Sequence, residues 1–165
     1  MELTRTRPTS VRVLQSMVIL CVLLTASGCD TATGGGWIAG IVDARATFGF
    51  TVRCTDTRVR GTPVATLSDG QLDWHDGFVS FHGVVMPQQV PDTTCDEFAF
   101  NLPTIHFAGT YTPHNSSGSG FFNATVFDGG EPGALTDTIN IELTGGDFTG
   151  YANGGELQDG NVQVS

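Results

Sequence analysis

Leu72-Asp73-Trp74-His75-Asp76-Gly77-Phe78-Val79-Ser80-Phe81-His82 is the stretch on which the fold class turns. Apolar and polar residues alternate on either side of Asp76-Gly77, with the period of two that marks a half-buried strand. Asp-Gly is a favoured pair for a two-residue hairpin loop, because a type I′ turn needs positive φ at both central positions. A loop at Asp76-Gly77 sets Trp74 opposite Val79 and Leu72 opposite Phe81. Those four side chains share one face, and Asp73, His75, Ser80 and His82 share the other. A slip of one residue would exchange the faces, so pattern and turn together specify an antiparallel hairpin with one buried side.

The same alternation extends outward in both directions. Ala46, Phe48, Phe50 and Val52 form an inward set, and Cys54 continues their parity. Phe98, Phe100 and Leu102 alternate with Glu97, Ala99 and Asn101, which predicts a strand. Ile105, Phe107, Gly109 and Tyr111 point in and leave His106 outside; Ile139, Ile141 and Leu143 repeat the pattern. Residues 120–127 have two candidate inner faces, one with Phe121 and Phe127, the other with Phe122 and Val126. Short strands are expected around 148–151, 155–157 and 161–164. Turn residues recur about every 8–12 positions, the spacing of an all-β domain. No helical period runs longer than two turns. The expected fold is all-β, a two-layer antiparallel β-sandwich of roughly nine strands, with jelly-roll-like connectivity as a variant.

The N-terminus carries a different signal. Arg5, Arg7 and Arg12 precede an apolar run from Met17 to Leu24, and Ala26-Ser27-Gly28-Cys29 follows. The run is too short to cross a bilayer as a helix, which takes about 20 residues. With its basic start and small residues before the cysteine, it reads as a secretory signal. Its end resembles the lipobox of bacterial lipoproteins; Ser27 and Gly28 match, and Ala26 stands where the family prefers Leu. The resemblance implies a signal peptide over 1–28, a diacylglyceryl group on Cys29 and a location in the cell envelope, on the extracytoplasmic side of a membrane. Residues 29–36 are then expected as a short tether and 37–165 as one domain. Two or three acyl chains would make attachment effectively permanent. Cys21 would leave with the signal, so Cys54 and Cys95 remain as a pair in a compartment that permits oxidation. A disulfide between them would close a loop of about 40 residues and stabilise the fold by about 4 kcal/mol in the loop-entropy model.

After residue 28 the chain has four Arg and no Lys against sixteen Asp and Glu, a balance of −12. Such a surface repels nucleic acid and anionic headgroups. The absence of Lys excludes Schiff-base and P-loop chemistry. All four Arg lie between Arg45 and Arg60.

Gly34-Gly35-Gly36-Trp37-Ile38, Ala46-Thr47-Phe48-Gly49-Phe50, Gly109-Thr110-Tyr111, Asp128-Gly129-Gly130-Glu131-Pro132-Gly133 with Asp137, and Tyr151 with Gly160-Asn161-Val162 occur in an order that resembles a small β domain of bacterial surface proteins. That domain often follows a "choice-of-anchor" region. The resemblance spans nearly all of residues 34–165 and implies an extracellular β domain without a defined activity.

Three constellations could carry chemistry. Asp128, Glu131 and Asp137 lie in a Gly-rich turn, where calcium could find oxygen ligands, although the turn lacks EF-hand spacing. The competing reading is a β-turn whose carboxylates accept backbone N–H groups. Trp37, Tyr111 and Tyr151 are candidate sugar platforms or core residues. His75 and His82 fall about 13 Å apart in the register above, too far to share a zinc ion. No G-x-S-x-G is present, and Ser117 and Ser119 sit in the loop from Pro113 to Gly120. The expectation is a lipid-anchored, non-enzymatic envelope protein with a membrane contact through lipid, an envelope protein or polysaccharide as partner, and no nucleic acid. A calcium- or carbohydrate-binding module is the alternative, and an envelope hydrolase comes third.

Overall fold

The structure is a computed structural model that describes residues 31–59, 62–87 and 93–165, with backbone alone for 56–59, 62–66 and 93. Nine strands and one short helix follow in order: β1 (Thr31–Ala39), β2 (Arg45–Val59), β3 (Thr62–Asp76), β4 (Val79–Val85), α1 (Thr93–Ala99), β5 (Thr104–Pro113), β6 (Gly120–Phe127), β7 (Thr138–Thr144), β8 (Ala152–Glu156) and β9 (Asp159–Val164). The fold is all-β and antiparallel, as the alternation implies.

All nine strands belong to one curled sheet, in the order β8-β7-β6-β5-β4-β3-β2-β1-β9. The connectivity is a plain meander, without the crossover of a jelly roll. β8 and β9 run in the same direction and lie at opposite edges of the sheet, yet only Leu157 and Gln158 separate them. Leu157 donates its N–H to Asp137 on one side and Gln158 donates to Trp37 on the other, at 3.0 and 2.9 Å. The last segment thus behaves as one kinked strand that joins both edges and closes the sheet on itself. The two expected layers are two halves of that sheet: Phe50 of β2 stacks on Phe107 of β5 across the core, with centroids 5.4 Å apart. Closure brings the two edges together at a seam, which leaves little open edge to invite pairing with other chains.

The interior is filled by side chains. Leu72, Trp74, Phe81, Ile105, Phe107, Tyr111, Phe122, Ile139, Ile141 and Leu143 are all fully buried. In β6 the inner face is Phe122, Ala124 and Val126; Phe121 points out and is 61% exposed. Residues 148–151, expected as a strand, form a turn whose Phe148 and Tyr151 are buried.

Three local expectations are corrected. The first concerns the deciding hairpin. Asp76 pairs with Val79 and Trp74 with Phe81, so the loop is Gly77-Phe78 rather than Asp76-Gly77. The shift is even, and the buried face is therefore unchanged. Gly77 has φ 59°, which suits the first central position of a type II′ turn. Asp76 is left at the strand end, where it is required for another purpose described below.

The second concerns residues 97–102, which are not a strand. Thr94, Cys95 and Phe98 are the buried positions, at helical spacing, and α1 ends at Ala99. Leu102 donates its N–H to Glu97 and Asn101 donates to Phe98, the paired bonds of a Schellman motif, with Asn101 at φ 53°. Phe100 and Leu102 consequently face outward, 75% and 43% exposed.

The third concerns the tether. Residues 31–36 are the first two-thirds of β1, hydrogen-bonded between β2 and β9. Their glycines serve close packing, since a Cβ at Gly34 would stand 2.5 Å from the Phe50 ring. Residues 31–36 therefore belong to the sheet rather than to a tether. Cys29 and residues 1–28 lie outside the described residues.

Candidate functional site

One end of the closed sheet is organised around Asp76, a residue that the sequence reading treats only as part of a turn. Its side chain is wholly buried. Oδ2 accepts the N–H of Ile41 at 3.0 Å, Oδ1 accepts the N–H of Asp43 at 2.8 Å, and Val42 donates to both. The Tyr151 hydroxyl donates to Oδ2 at 2.9 Å and itself accepts the Trp74 indole N–H at 2.9 Å. Residues 41–43 connect β1 to β2, and a loop lying over a core must satisfy its N–H groups somewhere. Burial by itself pushes the Asp76 carboxyl up, but the N–H donors of Asp43 and Ile41, the Tyr151 hydroxyl and the Val42 N–H outweigh it and hold the carboxyl below its ordinary 3.8. Burial, and then the nearby carboxylate, push the Tyr151 hydroxyl well above its usual range, so it stays a donor. Every polar atom in this chain of contacts already has a partner.

The three acids read as calcium candidates line the seam where the sheet closes. β9 pairs with β1 on one edge only, so its other edge presents N–H groups without a neighbouring strand. Asp137 Oδ2 accepts the Val162 N–H at 2.6 Å and Asp128 Oδ2 accepts the Val164 N–H at 2.9 Å. Their second oxygens accept the N–H groups of Gly129 and Gly130, both at 2.9 Å. Glu131 accepts the Asn161 amide at 2.8 Å. The two aspartates thus replace the missing ladder at the seam. Beside Asp137, Asn161 Oδ1 is a buried acceptor without a hydrogen-bond partner, and these two oxygens leave no room for a Cβ at Gly133. Among the described residues, no three His, Cys, Asp or Glu side chains are arranged to hold a metal ion.

Two of the three candidate sugar platforms belong to the core. Tyr111 is fully buried; its hydroxyl donates to the Gly145 carbonyl at 2.7 Å and accepts the Phe148 N–H at 3.1 Å. Tyr151 is the hydroxyl relay to Asp76. Trp37 is half-buried on the outer face, and the Arg45 guanidinium lies 4.4 Å from its ring centre, a cation–π contact.

The corrected hairpin register also moves the histidines. His75 lies opposite Ser80 and His82 opposite Asp73, so the two imidazoles are diagonal neighbours rather than 13 Å apart. His82 Nδ1 sits 2.8 Å from Asp73. His114 donates its backbone N–H to Ser80, which brings a third histidine to this outer face. Thr47, Gly49, Asp73, His75, Ser80 and His114 line a shallow depression of about 180 Å³ there. No hydrogen bond joins Ser80 to His75 among the described contacts, and the face is open, so the group lacks the fixed nucleophile–base geometry of a hydrolase. His106 pairs with Glu97 of α1, at 2.5 Å, away from the other three. Ser117 and Ser119 flank Gly118, whose N–H bonds to Asp147 at 2.9 Å.

Cys54 and Cys95 form a disulfide with Cα atoms 5.7 Å apart, which pins α1 to β2 at the end of the sheet remote from Asp76. Thr94 Oγ1 donates to the His106 carbonyl at 2.7 Å and Glu97 accepts the His106 N–H at 2.6 Å, docking the helix on the start of β5. Phe98 is buried beneath it. Comparison with protein-family models, with curated proteins and with solved structures returns no match in any of the three.

Proposed function

We propose that this chain is a cell-envelope lipoprotein, held at a membrane by lipid on Cys29, whose β domain binds or supports another envelope component without catalysing a reaction. The reading rests first on Ala26-Ser27-Gly28-Cys29 behind a basic and apolar leader. The Cys54–Cys95 disulfide supports it, because such bonds persist in oxidising compartments outside the cytoplasm. The likeness of residues 34–165 to a surface-protein β domain points the same way. Buried aromatic and aliphatic side chains occupy the interior, so a partner, protein or polysaccharide, would meet the outer surface. The −12 charge gives no help in holding an anionic membrane, which leaves lipid as the attachment.

The test is Cys29→Ala. The wild-type chain should partition into the detergent phase and the variant into the aqueous phase. A variant that still partitions with membranes as an acylated protein would remove this reading. A calcium-binding turn at Asp128, Glu131 and Asp137 is the second reading; the unpartnered Asn161 Oδ1 beside Asp137 favours it.

A further inference from the structure

We infer that the end of the sheet covered by α1 rests against the bilayer, with Phe100 and Leu102 as its apolar contact. The inference builds on the lipid anchor at Cys29 and gives the anchored domain an orientation. Cys29 is two residues before Thr31, where β1 begins, and two extended residues reach at most about 7 Å. An acylated Cys29 therefore holds the start of β1 at the membrane surface with no spacer.

The residues around that start are fixed by hydrogen bonds. Thr31 and Ser165 exchange backbone bonds at 3.0 and 2.9 Å, and Val164 pairs with Ala32. Val164 donates to Asp128, and the Asp128 N–H donates to the Pro103 carbonyl at 2.8 Å. Pro103 directly follows Leu102, so the Phe100–Leu102 segment sits at the same end as the anchor. Both side chains are exposed there, 75% and 43%. Three carboxylates of this end already have partners: Asp69 with Arg53 at 2.6 Å, Glu97 with His106, Asp128 with the N–H groups of Gly130 and Val164, while Asp96 of α1 and Glu156 of β8 are exposed. An aromatic ring beside polar groups suits the headgroup level of a bilayer. Phe78, 69% exposed, occupies the hairpin loop at the opposite end.

Phe100→Trp and Phe78→Trp variants of the full acylated protein test this on vesicles of phosphatidylcholine, with and without bromine on the acyl chains. The emission added at position 100 should be blue-shifted and quenched by the brominated lipid, and that added at position 78 should be neither. Equal quenching at both positions, or none at 100, overturns the orientation. No quenching together with dimerisation in detergent assigns the apolar pair to a second copy and overturns it too. A chain found unacylated is a separate result, which removes the anchor itself.

Discussion

At one end of the closed sheet a loop lies over the core and hands its N–H groups to Asp76; at the other a helix lies over the core and satisfies most of its own. The loop at 41–43 has no internal ladder, so the fold supplies a buried carboxylate, backed by Tyr151 and Trp74. The helix carries its hydrogen bonds within itself and through its Schellman end, and needs only to be fixed in place. Cys54–Cys95 does that covalently. Polar stabilisation thus concentrates where backbone would be orphaned, and covalent stabilisation where a seven-residue helix is too short to persist alone.

Breaking the covalent end should have the largest effect. Replacing both Cys54 and Cys95 by Ser is expected to lower the unfolding free energy by about 4 kcal/mol, measured by urea denaturation. A loss well under 1 kcal/mol would mean that side-chain packing under α1, chiefly Phe98, suffices without the bond.

The polar end should follow. Asp76→Ala leaves the N–H groups of Ile41, Val42 and Asp43 and the buried Tyr151 hydroxyl without their acceptor, for a loss of about 3 kcal/mol. The pH dependence separates charge from shape. A carboxyl held below 3.8 in the folded state contributes stability that is complete above its unfolded value and is lost as pH falls through the folded one. The melting temperature of the wild-type chain should therefore drop steeply below about pH 4, and Asp76→Asn should flatten that drop. Parallel profiles for the two proteins would show that Asp76 is not the acid-sensitive element.

The smallest effect is expected at the seam. Asp128 and Asp137 already accept backbone N–H groups with both oxygens. Calcium should leave the melting temperature of residues 31–165 as it stands in EDTA. A clear rise would select the calcium reading and place Asn161 among the ligands.

The sequence was most legible where one face is apolar over a whole strand. Ala46 to Val52, Ile139 to Leu143 and the Leu72–His82 hairpin all bury the side that alternation predicts, because period two admits only two answers. Register was less legible: Gly77 works in either of two loops, and what selects between them is the distant loop at 41–43, which needs Asp76 at the strand end. Alternation misread 97–102 because a short helix between strands also places Phe98, Phe100 and Leu102 at even spacing; the buried neighbours Thr94 and Cys95 reveal the helical period only once the fold is seen. The glycines of 34–36 suggest flexibility when read alone, yet Gly34 admits the Phe50 ring and Gly36 the Asp159 carbonyl. At the candidate site, the pairing of Cys54 with Cys95 was readable by elimination, whereas the seam role of Asp128 and Asp137 depends on β9 having a single partner, a property of closure that no local pattern encodes.

The most direct test of the anchored-domain account is the mass of the first tryptic peptide of the mature chain. Arg45 is the first cleavage site after Cys29, so the account predicts a peptide from Cys29 to Arg45 carrying a diacylglyceryl group. An unmodified Cys29, or a mature chain that begins at any other residue, would contradict it.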